Sequence, residues 1–174
     1  MSIMPKFTES NITLDFPDKN FFRFSTCSGY TALSGNHFKE MDACWYDAES
    51  NVYWLIELKD YSSASMTALD TIEQKSWDMV KKAIDSICMF LSTKHSYPYA
   101  VNLNPCLPFI PDGQTGFNVV TIVHCEQAKK ADIQLLNNKF RNKFRSYAEL
   151  FGITYYTVIE HSAAVRHIPN NMVL

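Results

Sequence analysis

The sequence lacks any apolar run of the roughly 20 residues that are needed to span a bilayer. Its first residues, MSIMPKFTESNITLDF, also lack the basic region and apolar stretch that are typical of a signal peptide. We therefore expect a cytoplasmic protein with no membrane partner.

Glycine is scarce, at 5 of 174 residues. Neither sign of charge is in large excess, because the chain has 16 Lys and Arg residues and 18 Asp and Glu residues. A net charge of -2 provides no overall basic field, so contact with nucleic acid would need a local patch or metal ions. The 47% apolar content predicts a folded globular chain. Its length fits one domain over residues 1–174.

The cysteines show no Cys-x-x-Cys pair, and most lie in apolar stretches, which predicts reduced thiols in the core. They are Cys27, Cys44, Cys88, Cys106 and Cys125. The histidines show no metal-binding spacing either, including His124 beside Cys125. An enzyme that uses Cys44 or His124 is one alternative, although neither residue has a visible catalytic partner.

Apolar alternation on both sides of a PDKN turn predicts a β-hairpin of residues 12–16 and 22–24. TALSGN is then expected to form a loop that leads to a strand at about 37–46. A DAESN turn connects this strand to another at about 52–59. The first part of the chain is thus predicted to be an antiparallel meander.

Helical periodicity predicts a helix of about 25 residues from Leu69, with Thr67 and Asp70 as an N-cap pair. A proline-containing loop should follow, and long loops of this kind usually have a function. The predicted later elements are the loop at 95–116, a buried strand at 117–125, a helix at 130–151 that ends at Gly152, and a strand at 153–159.

Acidic and basic residues interrupt the two apolar strands of MDACWYDAESNVYWLIELKDY, residues 41–61. Because side chains alternate along a strand, Glu57 and Lys59 share a face, and a hairpin would bring Asp42 close to them. Two adjacent carboxylates repel each other unless a cation lies between them, and oxygen ligands favour Mg²⁺ or Mn²⁺. A nearby lysine could position a water molecule and stabilise a charged transition state. The alternative is a strand-end ion pair with no chemical role.

The stretch resembles the signature of the PD-(D/E)xK nuclease superfamily, in which Asp on one strand precedes Glu-x-Lys on the next. Asp42, Glu57 and Lys59 occupy the matching positions, although Met41 stands where the family often has Pro. The resemblance extends over about residues 20–160 in the order of elements. It implies a restriction-endonuclease-like α/β fold, with a mixed sheet of β-meander, helix, strand, helix and strand flanked by helices.

The resemblance also implies a function: hydrolysis of phosphodiester bonds, with DNA as the expected substrate and Mg²⁺ or Mn²⁺ as the cofactor. Asp42 and Glu57 would hold the metal with the carbonyl group of Leu58, and Lys59 would act on the attacking water. With no evident target-recognition module, we expect a homodimer or a protein partner. The alternative is an inactive domain of this fold that binds nucleic acid or serves in assembly.

The family's opening helix, which often supplies another acid, is not evident in the sequence, and Glu9 or Glu40 could replace that acid. Gln74 and Lys75 are candidates for the accessory residue that the family's next helix often supplies. Basic residues in NNKFRNKFR could contact phosphates, or they could form an ordinary solvated helix face. These are Lys139, Arg141, Lys143 and Arg145.

Overall fold

The computed structural model describes residues 5–35, 37–62, 69–95, 97–126 and 130–174. The strands are β1 (Lys6–Glu9), β2 (Ile12–Asp15), β3 (Phe21–Phe22), β4 (Ala43–Asp47), β5 (Val52–Asp60), β6 (Gly116–His124) and β7 (Tyr156–Glu160). The helices are α1 (Ser28–Ser34), α2 (Leu69–Thr93), α3 (Lys130–Phe151) and α4 (His161–His167). Within the described ranges, no helix is both long and apolar enough to cross a membrane.

The main sheet has five strands in the order β3-β4-β5-β6-β7. Its first three strands are antiparallel neighbours, whereas β6 runs parallel to β5 and β7 runs parallel to β6. The parallel connections pass through α2 and α3, as such crossovers require. The predicted mixed α/β architecture, with a meander followed by helix, strand, helix and strand, is therefore confirmed.

The sheet separates two apolar clusters, because alternate side chains of β5 point to opposite faces. Tyr53 and Leu55 pack into the cluster that contains α2 and α3. Trp54, Ile56 and Leu58 pack on the other face, against β2 and the C-terminal segment. Glu57 follows the first register and so points toward the helices.

Helices α2 and α3 match their predicted positions closely. Buried residues recur on α2 at helical spacing, including Ile72, Ala83 and Ile87. Thr67, from the predicted N-cap pair, lies outside the described residues. Helix α3 ends before Gly152, which has a φ of 65°, and the N–H of Ile153 donates back to the carbonyl oxygen of Ala148 at 2.8 Å. The predicted glycine stop is confirmed.

The predicted hairpin between residues 12–16 and 22–24 is wrong. Strand β2 pairs instead with β1, across a turn in which Ser10 and Asn11 have φ values of 55° and 60°. Such tight turns need positive φ values, which asparagine tolerates well. Strand β3 belongs to the main sheet, where Phe22 pairs with Cys44.

The segment before β4 also differs from its prediction. Helix α1 includes the first four residues of TALSGN, residues 31–36, where a loop was expected, because this short helix lacks an apolar repeat. The strand predicted at 37–46 begins only at Ala43. The preceding backbone binds α2 instead, since the N–H of Lys39 donates to Asp85 and that of Met41 donates to Ser86, both at 2.9 Å.

The expectation of reduced core thiols is wrong for two cysteines. Cys27 and Cys106 form a disulfide across 79 residues, with their Cα atoms 5.7 Å apart. Sequence spacing could not reveal this pair, because disulfide connectivity depends on proximity in the fold. Cys44 is a buried thiol as expected, whereas Cys88 is exposed. The cytoplasmic location stays a prediction, and a disulfide is more typical of oxidising compartments.

Helix α1 packs so closely against the loop that follows α2 that position 29 must be glycine. A Cβ atom at Gly29 would lie 2.2 Å from the carbonyl oxygen of Asn102. We expect Gly29→Ala to lower the free energy of unfolding by about 1–3 kcal/mol, the usual cost of overpacking. Gly35→Ala is the matched control, because its Cβ would meet nothing closer than 3.7 Å. The measurement is urea denaturation of both variants. If Gly29→Ala were as stable as Gly35→Ala, the explanation would be contradicted.

Candidate active site

The structure brings Asp42 and Glu57 together around one ammonium group. Lys82 Nζ lies 2.5 Å from Glu57 Oε1 and 3.4 Å from Asp42 Oδ1. Asp42 comes immediately before β4, Glu57 is in β5, and Lys82 is on α2. Antiparallel pairing of β4 with β5 carries the two carboxylates to the same side of the sheet, where α2 covers them.

Glu57 is the most buried member of this group, with a side chain that is 0% exposed. Its Oε1 atom also forms an ion pair with Lys59, so two ammonium groups converge on one oxygen. The other oxygen, Oε2, is buried without a hydrogen-bond partner. A buried carboxylate oxygen without a partner is costly, and it marks a position where a ligand could bind.

The backbone of Leu58 completes this arrangement. Its N–H donates to Asp42 Oδ2 at 2.8 Å. The backbone pairing of β4 with β5 extends only to Ala43 and Ile56, so beyond that point a side-chain acceptor takes the place of a backbone one. The Ser10 hydroxyl group donates to the carbonyl oxygen of Leu58 at 3.2 Å. The β1–β2 turn therefore contacts the backbone of β5 at the residue that follows Glu57.

Burial, and after it the nearby charge of Asp42, raise the pKa of Glu57 from its usual 4.5 to about 7. Lys59 and Lys82 oppose this shift but do not cancel it. Burial lowers the pKa of Lys82, but Glu57 and then Asp42 outweigh that effect and raise it overall. The cluster thus combines a carboxyl group that is reluctant to ionise with an ammonium group that keeps its charge.

Glu57 borders a cleft of about 370 Å³ between β5 and α2. Its lining includes two acids, Glu57 and Asp78, together with a larger number of lysines. The lysines are Lys39, Lys59, Lys75, Lys81 and Lys82. This cleft is a local basic patch on a chain whose net charge is negative.

The accessory candidates have different positions. Lys75 lines the cleft and packs over the ring of Tyr61, with Nζ 4.2 Å from the ring centre. Gln74 instead donates along the exposed face of α2 to Asp78, at 2.9 Å. Glu9 forms an ion pair with Arg23, and Glu40 accepts a hydrogen bond from Tyr30. The side chains of Glu9 and Glu40 therefore bind Arg23 and Tyr30, and neither is paired with Asp42 or Glu57.

The predicted basic patch on α3 is largely engaged by other protein groups. Glu73 forms ion pairs with Lys143 at 2.5 Å and with Lys139 at 3.4 Å. Arg141 donates to the carbonyl oxygen of Tyr156 at 2.7 Å and packs over its ring. Arg145 is exposed and lies 3.4 Å from the side-chain oxygen of Asn142. A role for these residues in binding nucleic acid stays a prediction.

The alternative based on Cys44 or His124 finds little support in the geometry. Cys44 is buried, and burial raises the pKa of its thiol well above the usual range, with a further contribution from Asp42. A nucleophilic cysteine requires the opposite shift. His124 ends β6, with its ring 6.0 Å from that of His161.

Sequence reasoning missed Lys82 and Ser10. Lys82 lies seven residues after Lys75, so both occupy the same edge of α2, and this spacing was the available signal. Nothing in the sequence connects Ser10 to Leu58, because their contact depends on a hairpin that was predicted wrongly.

No family model matches the chain, and no curated protein or solved structure shows a significant similarity to it. Among the described residues, no group of three or more His, Cys, Asp or Glu side chains is placed to hold a metal ion. A metal site here would therefore combine two carboxylates with a backbone carbonyl group.

The raised pKa of Glu57 predicts a pH dependence of stability. The folded chain holds the Glu57 proton more tightly than the unfolded chain does, so the free energy of unfolding should decrease as pH rises from 4.5 to about 7. This component should be absent in Glu57→Gln. The measurement is urea denaturation of both proteins across this range, with the difference between them taken at each pH. A difference that stays constant with pH would contradict the assignment.

Proposed function

We propose that this chain is a metal-dependent nuclease of the PD-(D/E)xK type, with a restriction-endonuclease-like fold and DNA as its substrate. The observation that carries the proposal is the buried Glu57 beside Asp42, with one oxygen lacking a partner, at the edge of a lysine-lined cleft. A structural ion pair alone would not need an unsatisfied carboxylate oxygen in a buried position.

The topology supports this proposal without depending on the motif. Strands β3, β4 and β5 form an antiparallel meander, and β6 follows α2 as the parallel neighbour of β5. This is the order of elements that the resemblance in sequence implies. In such a fold, Asp42 and Glu57 would lie where the family's metal-binding acids do.

The residues present fit a divalent cation. Asp42, Glu57 and the carbonyl group of Leu58 offer the hard oxygen ligands that Mg²⁺ and Mn²⁺ prefer, and Glu57 Oε2 is already without a partner. When bound, the metal would supply Lewis-acid stabilisation of the charge that develops on the phosphate.

Lysines of the cleft would perform the remaining tasks. Lys59 shares the face of Glu57 and contacts its Oε1, so its ammonium group would orient the attacking water and offset negative charge in the transition state. Lys39 and Lys75 line the approach to this point and would hold neighbouring phosphates of the nucleic acid strand.

A non-catalytic domain of the same fold is the second candidate. One observation favours it: Lys59 and Lys82 already balance the charges of Asp42 and Glu57. Such a domain would use the basic cleft to bind nucleic acid or to assemble, in a homodimer or with a protein partner.

Substitution of the central residues would separate these two functions. Lys59→Ala should lower the cleavage rate at least about 100-fold, because it removes a charge that acts on the transition state. Its metal binding should be unchanged or tighter. Asp42→Asn and Glu57→Gln should abolish both cleavage and metal binding, because each removes an anionic ligand. The measurement is cleavage of a panel of duplex DNA, single-stranded DNA and RNA, with and without Mg²⁺ or Mn²⁺.

Lys94→Ala is the control for the loss of a lysine, because Lys94 lies after α2 and outside the lining of the cleft. It should cleave like the wild type. The wild-type protein could instead bind the panel, cut nothing and show no metal-dependent change in thermal midpoint. That result would reject the nuclease proposal in favour of the non-catalytic candidate.

Two double variants would show which basic residues bind the phosphates of the nucleic acid. Lys39→Ala with Lys75→Ala should weaken binding to all sequences and lower the salt slope by about 0.9 for each phosphate that the protein no longer neutralises. Lys139→Ala with Arg145→Ala, on α3, should have a smaller effect, since Lys139 is paired with Glu73. The affinity should be measured at several salt concentrations with metal omitted. If only the α3 variant lowered the slope, the path of the nucleic acid would cross α3 instead.

A further inference from the structure

We propose that Lys82 is a positioning residue that occupies the Asp42–Glu57 pair until a phosphate group draws it away, so that metal and substrate bind cooperatively. This inference rests on the proposed function of the same site. It adds a sequence of events: Lys82 holds the two carboxylates in the metal-free protein, and release of Lys82 opens them to a divalent cation.

The geometry of Lys82 carries the proposal. One ammonium nitrogen bridges two carboxylates, at 2.5 Å from Glu57 on β5 and 3.4 Å from Asp42 just before β4. The Lys82 side chain is 23% exposed, so the bridge lies at the boundary between the buried Glu57 carboxylate and the open cleft. Lys82 therefore neutralises like charges that would otherwise repel each other.

A divalent cation cannot join this arrangement without displacing Lys82. The metal would use the same two carboxylates that Lys82 bridges, and at such distances two cations repel strongly in a partly buried site. Lysine has a flexible four-carbon stem, so its ammonium group could leave without any movement of α2. Lys59 could remain in place, because it contacts Glu57 alone of the two acids.

The cleft provides the destination for the displaced ammonium group. Lys82 lines the cleft together with Lys39 and Lys75, which would attract phosphates to its side. A phosphate in the cleft would bind Lys82 more favourably once a metal had taken the position of Lys82 between the two carboxylates. By linkage, the metal must then tighten substrate binding by the same factor by which substrate tightens metal binding.

Calorimetric titration with Mn²⁺ tests this coupling directly. The probe for the substrate is a phosphorothioate-linked DNA oligonucleotide, which resists cleavage. For the wild type, we expect the oligonucleotide to tighten Mn²⁺ binding about 10-fold, within the usual range of coupling between sites. Lys82→Met should tighten Mn²⁺ binding about 10-fold without any oligonucleotide, and the further gain from the oligonucleotide should fall below about 3-fold.

Lys81→Met is the matched control. Lys81 is the neighbour of Lys82 on α2 and lines the same cleft, but its ion pair is with Asp85 at 2.7 Å. This variant should bind Mn²⁺ with wild-type affinity when no oligonucleotide is present. The thermal midpoint supplies a second readout, since Lys82→Met should be less stable than Lys81→Met in chelator and should recover more stability when Mn²⁺ is added.

Three results would overturn the inference. In the first, Lys82→Met binds Mn²⁺ no more tightly than the wild type. In the second, which remains informative if that variant does not fold, the oligonucleotide leaves the Mn²⁺ affinity of the wild type unchanged. In the third, no protein binds Mn²⁺ under either condition, and the proposed function fails as well. Metal-dependent cleavage by the wild type, together with either of the first two results, would reject the role of Lys82 alone.

Discussion

The structure around β5 depends on the burial of one carboxylate. Glu57 is 0% exposed in the centre of the sheet, where an isolated charge would be very unfavourable. Two ammonium groups from β5 and α2 compensate that charge, and the backbone of Leu58 fixes Asp42 beside it. The packing of α2 over the sheet is consistent with this requirement, because α2 supplies Lys82, which pairs with both acids. Asp42, just before β4, adds a like charge that makes this compensation more necessary.

Sequence periodicity predicted the elements with large apolar faces, and alternation in β5 correctly separated Tyr53 and Leu55 from Trp54 and Ile56. It failed where the local signal was weak. Helix α1 is short and has no apolar repeat, and the β1–β2 turn depends on two positive φ values at Ser10 and Asn11. Propensity alone does not determine such segments, since contacts distant in sequence hold them.

The same distinction applies to the site. Strand alternation was sufficient to place Glu57 and Lys59 on one face and to suggest that Asp42 is nearby. The third charged partner, Lys82, comes from a helix that follows the hairpin, and only the packing of α2 against the sheet brings it to the carboxylates. The disulfide between Cys27 and Cys106 was likewise invisible in the sequence, because 79 residues separate its ends.

The most direct test of the proposed metal site is a crystal structure of the protein soaked in Mn²⁺, with the metal located by its anomalous scattering. We expect a peak between the carboxylates of Asp42 and Glu57, in contact with Glu57 Oε2 and close to the carbonyl group of Leu58, with Lys82 turned away from both acids. A well-occupied peak elsewhere on the protein, with Lys82 still bridging the two carboxylates, would contradict this proposal.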